Sequence, residues 1–152
     1  MTDLTDFKAQ FKGDVVTPRD PDYEKAIDRW AANAKRRAAV VAFVKSSEDV
    51  AAAIKYARSA GLRIAIRGGG HSAADTSSSE GGLVIDLSKY LKNVKVDPDK
   101  KLIYVQGGAD WKAVDEASIK HGLAGVAGTV NHVCTIRPFL GQSLICFAFR
   151  LV

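Results

Sequence analysis

The stretch Ile64-Ala65-Ile66-Arg67-Gly68-Gly69-Gly70-His71-Ser72 runs from a short apolar segment directly into three glycines. A polar, small-residue segment follows, and then a second apolar run, Leu83-Val84-Ile85-Asp86. The two apolar runs suit buried strands. Three successive glycines permit positive φ and leave no Cβ in the way, so several backbone N–H groups can converge on one anion. His71 and Ser72 stand at the mouth of that loop. Taken alone, the same residues also fit a solvent-exposed turn with an incidental histidine. No Gly-Lys-Ser/Thr follows, which excludes a triphosphate-binding P-loop. Ser72 to Gly82 reads as loop, whereas a dinucleotide fingerprint opens a helix. The expected anion site is therefore a backbone cradle between two strands, with no helix dipole behind it.

The flanking sequence sets this loop in a parallel sheet. Ala38 to Val44 is near-continuously apolar, as in a strand buried on both faces. Ser46 with Asp49 approximates a capping box. Val50, Ala53, Ile54 and Ala57 then share one helical face, and Gly61 is the left-handed stop. Leu62 to Arg67 is the next strand, so the unit reads as βαβ with parallel strands. The glycine loop thus falls at the carboxyl end of a parallel strand, where crevices form in open α/β sheets. Leu83 to Leu87 adds a strand, with Asp86 as a strand-terminating cap. Tyr90 to Val96 and Leu102 to Gln106 form an edge-like antiparallel hairpin around Asp97-Pro98-Asp99-Lys100. Asp110 caps a helix from Trp111 to His121, ended by Gly122, with Trp111, Val114 and Ser118 on one face. His121 reads as a structural residue at that helix's end. Ahead of all this, Leu4, Phe7 and Phe11 predict a short amphipathic helix, capped by Asp3 or Thr5 and ended by Gly13. Pro18-Arg19-Asp20-Pro21 is a stiff connector. Tyr23 to Trp30 is a helical turn or an arm on the body.

Two ordered motifs carry a family resemblance. Arg67-Gly68-Gly69-Gly70-His71-Ser72, followed by Val84-Ile85-Asp86-Leu87-Ser88, is the first. Gly128-Thr129-Val130-Asn131-His132 is the second. Together they resemble the flavin-binding, PCMH-type domain of the vanillyl-alcohol oxidase superfamily, and most of all its berberine-bridge-enzyme-like oxidases. The similarity runs from about Phe43 to His132. The resemblance implies an α/β (α+β) fold: a small parallel βαβ sheet, then an antiparallel hairpin and helix, incomplete at the C-terminus. It implies FAD as cofactor, with Arg67, Gly68, Gly69, Gly70 and Ser72 framing the pyrophosphate. It implies that His71 is joined to the flavin 8α-methyl group, and that Gly128, Thr129 and His132 line the flavin channel. Relatives with a second covalent link carry cysteine near Ala127 and Thr129, where this chain has none, so a single link is expected. No catalytic base is assigned within this chain.

Composition limits the alternatives. The 152 residues suit one domain, with 47% hydrophobic residues and a net charge of +5. The basic residues are scattered, with small groups at Lys35-Arg36-Arg37 and Lys100-Lys101 and no interleaved aromatics, so no nucleic-acid partner is expected. No apolar run reaches the length of a membrane span, and no secretory signal opens the chain; a cytoplasmic location is the expectation. His121, His132 and Cys134 are too irregularly spaced for zinc, and no metal site is expected. Residues 1–37 are read as an arm, 38–132 as the FAD-binding part and 133–152 as a divergent tail. That tail is either non-family sequence or one more strand folding back. The implied function is hydride transfer from an alcohol-, alkaloid- or carbohydrate-like small-molecule substrate to flavin, with O2 as acceptor, in a truncated oxidoreductase. The alternatives are an inactive fragment or a non-enzymatic nucleotide- or phosphate-binding module.

Overall fold

A computed structural model describes residues 3–125, 128 and 130–133, and the backbone of 145–150. Its elements are α1 (Leu4–Gln10), β1 (Asp14–Val16), α2 (Tyr23–Ala26), β2 (Val40–Phe43), α3 (Ser47–Ser59), β3 (Ile64–Arg67), β4 (Leu83–Asp86), β5 (Val94–Asp97), β6 (Leu102–Val105), α4 (Trp111–Ser118), β7 (Leu123–Gly125) and β8 (Ile145–Arg150). They form two four-stranded sheets, ordered β1-β2-β4-β3 and β5-β6-β8-β7. The first carries the expected parallel strands, and the second the antiparallel hairpin, against which α4 packs.

The first sheet is built around β4, whose four residues are all buried. It lies between β2 and β3 and is parallel to both. One face meets α1 and α3, through Val40, Ala42, Leu83 and Ile85 against Phe7, Ala53, Tyr56 and Ala57. The other meets the arm, through Val41, Ala65 and Val84 against Tyr23 and Ile27. Tyr23 is anchored by its hydroxyl, which donates to the Ala38 carbonyl at 2.8 Å. The α3 boundaries follow from local chemistry. Ser46 Oγ accepts from the Asp49 N–H. Asp49 does not complete the box; its carboxylate accepts from the Lys45 and Lys12 N–H groups at 2.9 and 3.0 Å. At the other end Gly61 adopts φ +66°, and Leu62 N–H bonds the Ala57 carbonyl, closing a Schellman motif.

Several expectations need correction. β1 was missed: it is three half-buried residues, too short to show alternation, and it pairs antiparallel with β2. Gly13 does not end α1, because the helix stops at Gln10 and Phe11 is already extended. Gly13 instead lets β1 close on β2; a Cβ there would lie 1.9 Å from the Phe43 carbonyl oxygen. β3 is an edge strand with Ile64 and Ile66 exposed, not the buried strand its apolar residues suggest. The hairpin's β5 is an edge, but β6 is interior, because β8 pairs with it. β8 also pairs with β7, so of the two readings of the tail, the backbone of 145–150 takes the one that folds back. The helix after Asp110 turns 3₁₀ at Ile119–His121 before Gly122 at φ +64°.

Gly13→Ala must push on backbone, not on a side chain that can swing away. It is expected to destabilise the protein by about 2–3 kcal/mol, as overpacking does. Urea denaturation followed by circular dichroism reads this as a lowered midpoint at unchanged slope.

Candidate functional site

The glycine loop leaves the carboxyl end of β3 and returns to β4. Arg67, the last residue of β3, stands opposite Asp86, the last of β4. Asp86 is fully buried. One carboxylate oxygen accepts from the Ser88 N–H and hydroxyl at 2.8 and 2.6 Å, which is the capping role expected of it. The other oxygen pairs with Arg67 Nη1 at 3.0 Å, a role the sequence did not reveal. Arg67 Nη1 also donates to the Ala26 carbonyl at 3.1 Å. Its Nε is buried and, among the described residues, has no hydrogen-bond partner.

A second arginine lies beside it. Arg29 is 7% exposed. Its Nε and Nη2 donate to the Ser77 carbonyl at 3.2 and 2.8 Å, and its Nη1 to the Asp28 carbonyl at 2.7 Å. Burial first, and the Arg67 charge second, push the Arg29 pKa down to about 10. Arg67 alone pairs with the fully buried Asp86, while Arg29 is held by carbonyl oxygens and feels the Asp86 and Asp28 carboxylates only through space. Arg29 was not singled out in the sequence, because it falls in the aperiodic arm, where nothing but its position in space marks it.

The glycines are shaped by these side chains. Gly68 and Gly70 are buried and Gly69 is half-buried. Gly70 has φ +74°, and a Cβ on it would sit 3.0 Å from Arg67 Nε and 3.2 Å from Arg29 Cδ. Only glycine suits that site on both counts. Ser72 Oγ accepts from Thr76 Oγ1 at 2.8 Å. His71 is half-buried, and its ring centre lies 6.0 Å from that of His132, the planes inclined at 57°. His132 is held there by its neighbours. The Asn131 and Val133 carbonyls accept from the Lys112 and Trp111 N–H groups at the start of α4. Gly128 packs on the same tryptophan, and a Cβ there would lie 2.7 Å from the indole Nε1. His71 and His132 therefore meet from distant parts of the chain, while Gly128 lies on Trp111. Thr129 lies outside the described residues.

A cavity of about 530 Å³ opens at the carboxyl ends of the parallel strands. Its lining includes Phe43 from β2, Arg67 from β3 and Ser88 just past β4, with Asp14, Asp28 and Lys89. Three carboxylates, Asp14, Asp22 and Asp28, and three cations, Lys25, Arg67 and Lys89, line it, and Arg67 joins it to the glycine loop. A crevice at the strand ends beside a left-handed glycine suits a large ligand approaching the backbone.

Comparison with known proteins gives the class. The family described as FAD binding domain matches residues 38–137. The chain belongs to that family, and FAD is its cofactor. The match extends five residues past the His132 limit read from the motifs. The chain is 36% identical, over 126 residues, to an uncharacterised FAD-linked oxidoreductase, YgaK, of Bacillus subtilis, covering 83% of this chain and 28% of that protein. Among solved structures, 6-hydroxy-D-nicotine oxidase of Arthrobacter nicotinovorans superposes with a TM-score of 0.79 at 28% identity, over 82% of this chain and 27% of that one. Glucooligosaccharide oxidase of Acremonium strictum, described as holding a 6-S-cysteinyl, 8α-N1-histidyl FAD, superposes with a TM-score of 0.72 at 25% identity, over 81% and 26% of the two chains. This chain thus spans little more than a quarter of the length of these relatives.

Removing one partner of the Arg67–Asp86 pair strands a buried charge. Asp86→Ala is expected to cost about 3–5 kcal/mol, and the double replacement Arg67→Met with Asp86→Leu to recover most of it. Urea titrations of the three proteins measure both effects.

Proposed function

We propose that this chain is the FAD-binding part of an FAD-linked oxidoreductase. In this reading the backbone of Gly68 to Ser72 receives the pyrophosphate, and His71 carries a single covalent link to the flavin. The observation that carries it is the loop itself: a left-handed Gly70 packed on a buried Arg29 and a half-buried Arg67, the latter paired with a fully buried carboxylate. When bound, FAD supplies two-electron chemistry, accepting a hydride from a substrate. The chain's own residues bind and orient it. Arg67 and Arg29 offset the charge of the linker from behind the loop. His71 stands at the loop mouth, close to His132, and Gly128 lies against Trp111.

The substrate in the whole enzyme is a small molecule of the alcohol, alkaloid or carbohydrate kind, and O2 takes the electrons. The named relatives support this class, being oxidases of a nicotine derivative and of an oligosaccharide. No residue of this chain is assigned the role of the base that takes the substrate proton. The chain alone is therefore expected to hold flavin without turning substrate over.

The purified chain is expected to be yellow, with a flavin absorption band that stays with the protein after acid precipitation. His71→Ala is expected to release that band into the supernatant. A colourless, aggregating protein would support an inert fragment instead, and a His71→Ala protein that still retains flavin covalently would sink the assignment of the link.

A further inference from the structure

The arm that precedes the matched region runs alongside the whole glycine loop. Trp30 N–H donates to the Gly70 carbonyl at 3.3 Å. Asn33 Nδ2 donates to the Ala73 carbonyl at 3.2 Å. Arg36 pairs with the Asp75 carboxylate at 2.8 Å. Arg29 holds the Ser77 carbonyl with two donors. Arg37 completes the line, its N–H donating to Glu80 and its carbonyl accepting from Gly81. Residues 29–37 thus meet residues 70–81 through side chains and backbone at five places, and none of residues 29–37 lies within the family match at 38–137.

These contacts have a directional consequence. In a planar trans peptide the carbonyl and the following N–H point opposite ways. Fixing the Gly70 carbonyl on Trp30 turns the His71 N–H away from the arm. Fixing the Ala73 carbonyl on Asn33 does the same for the Ala74 N–H. An anion-binding concavity needs this sorting, with donors on one side and carbonyls taken up on the other. The arm also brings Arg29, a buried cation, against Gly70 of the same loop.

We propose that residues 29–37 are a positioning element for the cofactor loop, with Arg29 at its centre, which holds the loop amides ready for the FAD pyrophosphate before the cofactor arrives. The inference rests on the FAD reading above and adds to it a segment that the family match does not include. Arg29, Asn33 and Arg36 act through the loop; none of them is assigned a contact with the cofactor.

The test uses the full chain, with His71→Ala in every form so that FAD binds reversibly and can be removed, in three forms: wild-type arm, Arg29→Ala, and the double variant Asn33→Ala with Arg36→Ala, whose altered side chains lie at the surface and leave the core alone. Amide order parameters from ¹⁵N relaxation are measured without FAD, and FAD affinity by calorimetry. In both variants the order parameters of residues 70–78 are expected to fall from about 0.85 to below about 0.6, while β2 and β4 stay rigid. FAD affinity should fall about tenfold as the competent loop becomes a minor conformer. If Arg29→Ala does not fold, the double variant decides. An unchanged loop in a folded variant overturns the proposal. So does a loosened loop that binds FAD as tightly as the form with the wild-type arm. A wild-type chain that binds no FAD overturns the functional reading and the ligand half of this one, and the order parameters still decide whether the arm holds the loop.

Discussion

The ion pair between Arg67 and Asp86 is the constraint on which this architecture turns. A carboxylate with no exposure is tolerated only when paired and hydrogen-bonded. Asp86 meets that condition with Arg67 on one oxygen and Ser88 on the other. Because the two residues are register partners at the ends of β3 and β4, a slip of either strand would break the pair. The pair therefore locks the place where the glycine loop leaves the sheet. Arg67 extends the lock to the arm through the Ala26 carbonyl, which Arg29 Nη1 also approaches at 3.4 Å.

Burial dominates the electrostatics of this corner. Arg29 lies deep enough for burial to lower its pKa to about 10, and its nearest buried carboxylate is already engaged by Arg67. Carbonyl oxygens satisfy its N–H groups without neutralising its charge. A folded protein keeps such an arrangement at the expense of stability, and it suits a site whose ligand brings negative charge.

Much of the first sheet was legible because its signals are local. Near-continuous apolar runs mark β2 and β4, and a serine and a glycine bracket α3 at Ser46 and Gly61. The place of the glycine loop at the carboxyl end of a parallel strand was legible because the βαβ pattern runs straight into it. What could not be read was what depends on distant partners. β1 is too short for a period to show, and its glycine takes its meaning from the Phe43 carbonyl across the sheet. β3 reads as buried by composition, yet its edge position leaves Ile64 and Ile66 in the open. Asp86 resembles any strand-end aspartate until Arg67 is seen opposite it. Arg29 lies in a stretch with no periodicity, so nothing in its neighbourhood separates it from the other scattered basic residues.

The strand order β1-β2-β4-β3 also has a consequence for how the protein folds. β2 and β3, joined by α3, are not neighbours; β4 must enter between them, so the parallel core cannot zip up from a hairpin. The two pairings that make it require the chain to close over α3 and over the glycine loop, and such non-local closure slows folding. The segment 68–82 is therefore the crossover that admits the central strand and, in the proposed reading, the cradle for the cofactor. Any ligand that orders it removes entropy the chain must otherwise lose in placing β4, so cofactor capture and completion of the sheet draw on the same degrees of freedom.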